Sequence, residues 1–117
     1  MRYGSLARRS FKLRKGLLGT GLVQDHHVIP KQFKAHPIIR KTGYDVNESS
    51  NIVMMPTPIG KRFMKVRSDR LTHGHGHKKY NAYVGAMLNC IHTSEDLCAF
   101  RDYLKHCIRF QPHHIPW

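Results

Sequence analysis

Acidic residues are scarce in this chain. Seven Asp and Glu stand against 20 Lys and Arg, a formal net charge of +13 over 117 residues. Self-repulsion on that scale opposes compactness, so it points to a polyanionic partner, nucleic acid first and an anionic membrane surface second. Long apolar runs are missing as well. The longest fall far short of the ~20 residues a transmembrane helix needs. Met1 to Gly21 is basic but lacks the apolar segment of a secretory signal. No membrane partner and no export are expected, and the location read from this is intracellular, cytoplasm or nucleus. Cysteine is sparse: Cys90, Cys98 and Cys107 are odd in number and none sits in a C-x-x-C spacing. That argues against a disulfide framework and against a Cys-based zinc site. No internal repeat or low-complexity segment is present.

What remains suits one compact domain with a small core, hydrophobic residues making up 40% of the chain. Residues 1–20 are expected to form a basic arm and residues 21–117 a single domain. The arm carries Arg2, Arg8, Arg9, Lys12, Arg14 and Lys15 with Tyr3 and Phe11 interspersed. It reads equally as a phosphate-tracking arm and as a helix with a solvated face on which Leu6, Phe11 and Leu13 pack. Glycines 16, 19 and 21 then interrupt the chain. A short strand is expected to lead from Leu22 into His26 and His27, with Pro30 ending it. Turns follow at Lys31–Ala35 and Pro37–Lys41. Asp45–Asn51 is rich in Asp, Asn and Ser and reads as a turn. Ile52–Met55 reads as a second, buried strand closed by Pro56 and Pro58. Lys61–Arg70 reads as a basic loop or ragged helix.

Two helices close the sequence. The first starts near Gly76 or His77 and runs to about Cys90, with Tyr80, Val84, Met87, Leu88 and Ile91 on one face. The second spans about 94–110, capped by Thr93, with Leu97, Phe100, Leu104, Cys107 and Ile108 as its buried stripe. Pro112 stops it, and Trp117 is expected to pack on the domain.

Ten histidines call for sorting. His26 and His27 are successive strand residues, so their side chains point to opposite faces and suit different tasks. By itself such a pair fixes no ligand geometry. His73 and His77 share a face on a helix, with Cβ atoms about 6 Å apart. In extended chain His73, His75 and His77 would share one instead. Asn51 can accept and donate, so it can fix a ring or a backbone segment nearby. Lys78 and Lys79 beside His77 favour a phosphate site.

The order is strand ending in His26-His27-Val28-Ile29-Pro30, then Asn51 before an apolar strand, then His73-Gly74-His75-Gly76-His77-Lys78-Lys79-Tyr80-Asn81. In that order the chain resembles the HNH nucleases of the ββα-metal (His-Me finger) group, in the branch marked by a His-His pair. The resemblance covers about Val23 to Val84. The chain departs from the branch in having His75 central between flanking glycines, and Asp25 where a small residue often precedes the pair. What the resemblance implies is an α+β fold, a small α-rich domain around a ββα-metal core at about 22–90. It also implies roles: His27 as general base, Asn51 orienting it, and His26, His77 and His73 as ligands of one divalent metal ion. All-imidazole ligation favours Zn or Mn over Mg, yet the group commonly runs on Mg or Mn, so Mg2+, Mn2+ and Zn2+ stay open.

The expected function is a metal-dependent endonuclease that hydrolyses phosphodiester bonds, DNA more than RNA, with low sequence specificity. Arg8, Arg9, Lys31, Lys61, Arg62, Arg67, Lys78 and Lys79 are expected to bind the nucleic acid, and a homodimer stays open. The competing expectation is a metal-stabilised nucleic-acid-binding module that does not cut.

Overall fold

A computed structural model of the chain describes residues 2–73 and 77–117. It is α+β, with helices dominating. Helix α1 covers Leu6–Arg14, strand β1 Val23–His27, helix α2 Pro37–Thr42, strand β2 Ile52–Pro56, helix α3 Pro58–Phe63, helix α4 Lys78–Leu88 and helix α5 Ser94–Phe110. Short 3-10 turns lie at Lys31–Phe33, Ser49–Asn51 and Pro112–His114.

β1 and β2 pair antiparallel, with Asp25 opposite Met54, His26 opposite Val53 and His27 opposite Ile52. The alternation of the pleat buries the His26 side and leaves Asp25 and His27 half-buried. β2 is buried along most of its length, as its apolar run requires. Beyond the pairing, Val28 N–H donates to the Asn51 carbonyl at 2.8 Å, which carries the ladder into the Val28-Ile29-Pro30 turn.

α4 and α5 supply the rest of the core. Tyr80, Val84 and Leu88 face inward from α4, and Leu97, Phe100, Leu104, Cys107 and Ile108 from α5. These meet Val28, Ile29, Ile38, Ile39, Val53 and Met55 in one cluster. The Thr93 hydroxyl caps α5 by accepting from Asp96 N–H, and Glu95 and Asp96 add negative charge to its first turn. Of the free cysteines, Cys107 is buried, Cys98 half-buried and Cys90 exposed.

Two elements differ from expectation. Pro58–Phe63 is a helix, where the sequence suggested that only the segment from Lys61 could be a ragged one. Pro58 sits in its first turn and the Thr57 hydroxyl caps it by accepting from Gly60 N–H. The same hydroxyl donates to the Gly21 carbonyl at 2.6 Å. Gly60 is required here: a Cβ would fall 1.9 Å from the Leu22 carbonyl oxygen, so α3 lies directly against the chain entering β1. α1 is also a helix, capped by Ser5, but Leu6 and Leu13 do not pack, being 81% and 66% exposed. Ion pairs hold α1 in place instead. Arg8 donates twice to Asp25, at 2.6 and 2.8 Å, and Lys12 approaches the same carboxylate at 3.0 Å.

Candidate metal centre and catalytic base

Three chain segments bring histidines together. β1 supplies His26. His73 is fixed where its N–H donates to the Pro56 carbonyl at the end of β2, at 2.8 Å. His77 is the residue that caps α4, its carbonyl accepting from Asn81 N–H at 2.8 Å. The three rings form a near-equilateral triangle, with centroids 5.6, 5.4 and 5.2 Å apart, and one nitrogen from each lies within 4.8 Å of the others. His75, the third histidine of the His-Gly tract, lies outside the described residues, as do Gly74 and Gly76.

A divalent ion fits this donor set. Among the described residues, Nε2 of His26 and Nε2 of His77 are buried with no hydrogen-bond partner, a costly state for polar atoms unless something binds them. The Nδ1 of His73 lies 2.6 Å from the Gln24 side-chain oxygen. An amide oxygen only accepts, so that nitrogen carries the proton and Nε2 is left with the lone pair a metal needs. All three rings are also held neutral. Burial, and then the neighbouring rings of His73, His77 and His27, push His26 down to about 3. Burial lowers His73 and His77 as well. Three imidazoles leave open positions for phosphate and water.

The walls of the centre are aromatic. The 3-10 turn at Pro112–His114 folds the tail back, and the Trp117 ring lies 4.3 Å from His77, 5.1 Å from His26 and 5.1 Å from Tyr80. Its indole N–H donates to the Thr72 carbonyl at 3.2 Å. The buried Tyr80 hydroxyl donates to the Val28 carbonyl, tying α4 to the turn after His27.

His27 is placed separately from the three. Its Nε2 lies 2.9 Å from Oδ1 of Asn47, and the Tyr3 ring sits 4.5 Å from it, tilted by 58°. With Oδ1 accepting, the Nε2 of a neutral ring carries its proton and Nδ1 its lone pair. Burial lowers the His27 pKa, partly offset by the Asn47 hydrogen bond, and the Lys31 charge lowers it further. Lys31 in turn stands 5.1 Å above the Tyr3 ring.

Asn51 is fully buried, and its side-chain hydrogen bonds go elsewhere than the His27 ring. Its side chain accepts from Ile29 N–H at 2.9 Å and from the Tyr44 hydroxyl at 2.7 Å, and donates to the carbonyls of Ile29 and Val46 at 3.0 and 2.7 Å. It therefore shapes the turn that follows His27, while the ring itself is held by Asn47. Asn47 and Gln24 were not singled out from the sequence, and Tyr3 only as an aromatic of the basic arm. Asn47 sits in the Asp-Asn-Ser segment where turn chemistry explains an Asn without further purpose.

The expected nucleic-acid contacts divide. Arg9, Lys31, Arg62, Arg67, Lys78 and Lys79 are exposed. Lys61 donates to the Arg70 carbonyl, and Arg67 to the Phe110 carbonyl and Asp69. Arg8 is committed inward: its side chain is 11% exposed and that of Asp25 6%. Burial alone would raise the Asp25 pKa, but hydrogen bonds and charge from Arg8 and Lys12 outweigh it and hold the carboxylate ionised. Asp25, the departure ahead of the histidine pair, is thus the anchor for α1.

No helix among the described residues is long and apolar enough to cross a membrane. No curated protein and no solved structure matches the chain. Residues 19–109 match the family described as AHH, a nuclease family of the HNH/ENDO VII superfamily with conserved AHH. At the conserved triplet this chain reads Asp25-His26-His27. The match takes in both strands, all three clustered histidines and His27, and the chain belongs to this family of metal-dependent nucleases.

Proposed function

We propose that the protein is an endonuclease that hydrolyses phosphodiester bonds of DNA with low sequence specificity, with His27 as general base and one divalent ion held by His26, His73 and His77. The observation that carries this reading is the division of labour on β1. His26 presents an orphaned Nε2 to a cluster of neutral imidazoles, while the next residue has its Nε2 capped by Asn47, which leaves the lone pair on Nδ1.

A divalent ion on the three imidazoles would stabilise the negative charge that builds on phosphorus-bound oxygens and on the leaving 3′ oxygen. The chain does the rest. Nδ1 of His27 takes a proton from the water that attacks phosphorus in line, and Asn47 keeps the ring from turning as the imidazolium forms. Tyr3 limits the ring from its face. Asn51 holds the backbone at Ile29, which keeps His27 in register with the strand. Low specificity follows from exposed Arg and Lys, which track phosphates and carry no base information. DNA is favoured over RNA on the resemblance alone. The experiment is cleavage of supercoiled plasmid and of a structured RNA side by side across Mg2+, Mn2+ and Zn2+. Preferential nicking of the plasmid supports the reading, and preferential cutting of RNA replaces the substrate.

A further inference from the structure

A trough lies against α4. It is a hollow of about 550 Å³ between the Lys31–Phe33 turn and α4, with Gln32 and Lys78 among its lining residues. Those two residues are the chain neighbours of Lys31, beside the base, and of His77, the metal ligand. His36 and Asn89 at its far end also line a second hollow of about 310 Å³ that reaches Lys41 and His92. The two hollows adjoin there, on either side of the contact between His36 and Asn89.

Its chemistry suits a nucleic-acid strand. None of the described lining residues is acidic, and Lys78 and Lys41 stand at its two ends. Between them lie the amides of Gln32, Asn81 and Asn89. Asn81 donates to Gln32 at 3.4 Å, and Asn89 Oδ1 lies 2.8 Å from a ring nitrogen of His36. These contacts occupy part of each amide and leave further donors and acceptors on residues that line the trough. Amides of this kind bond base edges in both senses. The length fits too. α4 has 11 residues, roughly 16 Å at ~1.5 Å per residue, or about five nucleotides of a duplex strand. Ala82 and Ala86 are exposed on this face, so none of the described residues fills it.

We infer that this trough seats the nucleic-acid strand on one side of the cleaved bond, with phosphates near Lys78 and Lys41 and base edges on Asn81 and Asn89. This deepens the nuclease reading and rests on it. It gives the enzyme a base preference at a few positions flanking one side of the cut, within cleavage that otherwise tolerates sequence.

The test uses a charge pair at one exposed position. Ala86→Glu and Ala86→Lys both retain a good helix former, and thermal melting confirms folding. Affinity for a labelled duplex is measured without metal, kcat and KM with metal, and the cut ends are sequenced. Ala86→Glu should weaken binding and raise KM about tenfold, since a carboxylate would face the strand's phosphates. Its kcat should stay unchanged, and Ala86→Lys should bind at least as tightly as the parent. Replacing both Asn81 and Asn89 by Ala should flatten base preference on one side of the cut. If both Ala86 variants bind and cut like the parent, the trough is not the strand's path, although the nuclease reading stands. A parent protein that neither binds nor cuts removes both.

Discussion

Oδ1 of Asn47 lies 2.9 Å from Nε2 of His27, across 20 residues of chain. In a neutral ring that bond keeps the proton on Nε2 and leaves the lone pair on Nδ1, the atom that takes a proton from water in the proposed mechanism. It also links His27 to the segment that enters α1, because the Asn47 carbonyl accepts from Tyr3 N–H at 2.9 Å and the Tyr3 ring lies against that of His27.

Loss of the Asn47 amide should therefore slow the chemical step more than it harms binding. Asn47→Ala is expected to lower kcat by about 10- to 100-fold, part of the ~10²–10⁴ that a placed general base contributes. Metal affinity and KM should change little. Asn47→Asp keeps an acceptor at the same place and should recover much of the rate. Its carboxylate favours the imidazolium, so the acid limb of its pH–rate profile should move to higher pH. Equal rates for Asn47→Ala and the parent would remove Asn47 from the mechanism.

The histidine centre makes the metal-free protein sensitive to acid. His26 is held neutral in the folded state, lowered to about 3 by burial first and by the neighbouring histidines next. An unfolded chain protonates it near pH 6.5. Between those values the unfolded state binds the extra proton, so stability is complete above about pH 6.5 and is lost as pH falls towards 3. The loss at the low end is on the order of 5 kcal/mol for His26 alone, and His73 and His77 shift in the same direction. Urea midpoints measured in chelator at pH 7, 6, 5 and 4 should fall steadily. A midpoint that is flat or rises towards pH 4 would show that these rings are not buried neutral.

Arg8 and Arg9 are neighbours with different tasks. Arg8→Ala leaves the nearly buried Asp25 with Lys12 alone and should destabilise the fold by about 2–3 kcal/mol. Arg9 is exposed, and Arg9→Ala should leave the melting temperature alone. It should weaken nucleic-acid binding across sequences and reduce the slope of log affinity against log salt by about one. Melting curves and salt titrations of the two variants separate these outcomes, and a reversed pattern would mean that α1 swings free of β1 in solution.

Much of the centre was legible because its signals are local. A strand ending in His-His with Val-Ile-Pro after it, an apolar run behind Asn51, and helical spacing from Tyr80 to Leu88 each fix an element from residues close in sequence. The pairing of β1 with β2 and the meeting of His26, His73 and His77 follow from that order. The ring contact of Asn47 was hidden, because an Asn in a turn of Asp, Asn and Ser needs no other explanation and its partner is far along the chain. α3 was only partly legible, since its packing depends on the absence of a Cβ at Gly60, which a lone glycine does not announce. α1 looked like an arm or an amphipathic helix. It is a helix held by Arg8, Lys12 and Asp25, while Leu6 and Leu13 face solvent. Trp117 was expected to pack on the domain, and only the folded tail shows that it packs on His26 and His77.

The central claim is that His26, His73 and His77 hold the ion while His27 moves the proton. Plasmid nicking by the parent and by His27→Ala, each with bound metal quantified, tests it most directly. The parent should nick with at least one divalent ion and stop in chelator. His27→Ala should bind the same metal with similar affinity yet nick about 10²- to 10⁴-fold more slowly. Nicking by His27→Ala at the parental rate, or a parent that cuts nothing with any divalent ion, would contradict it.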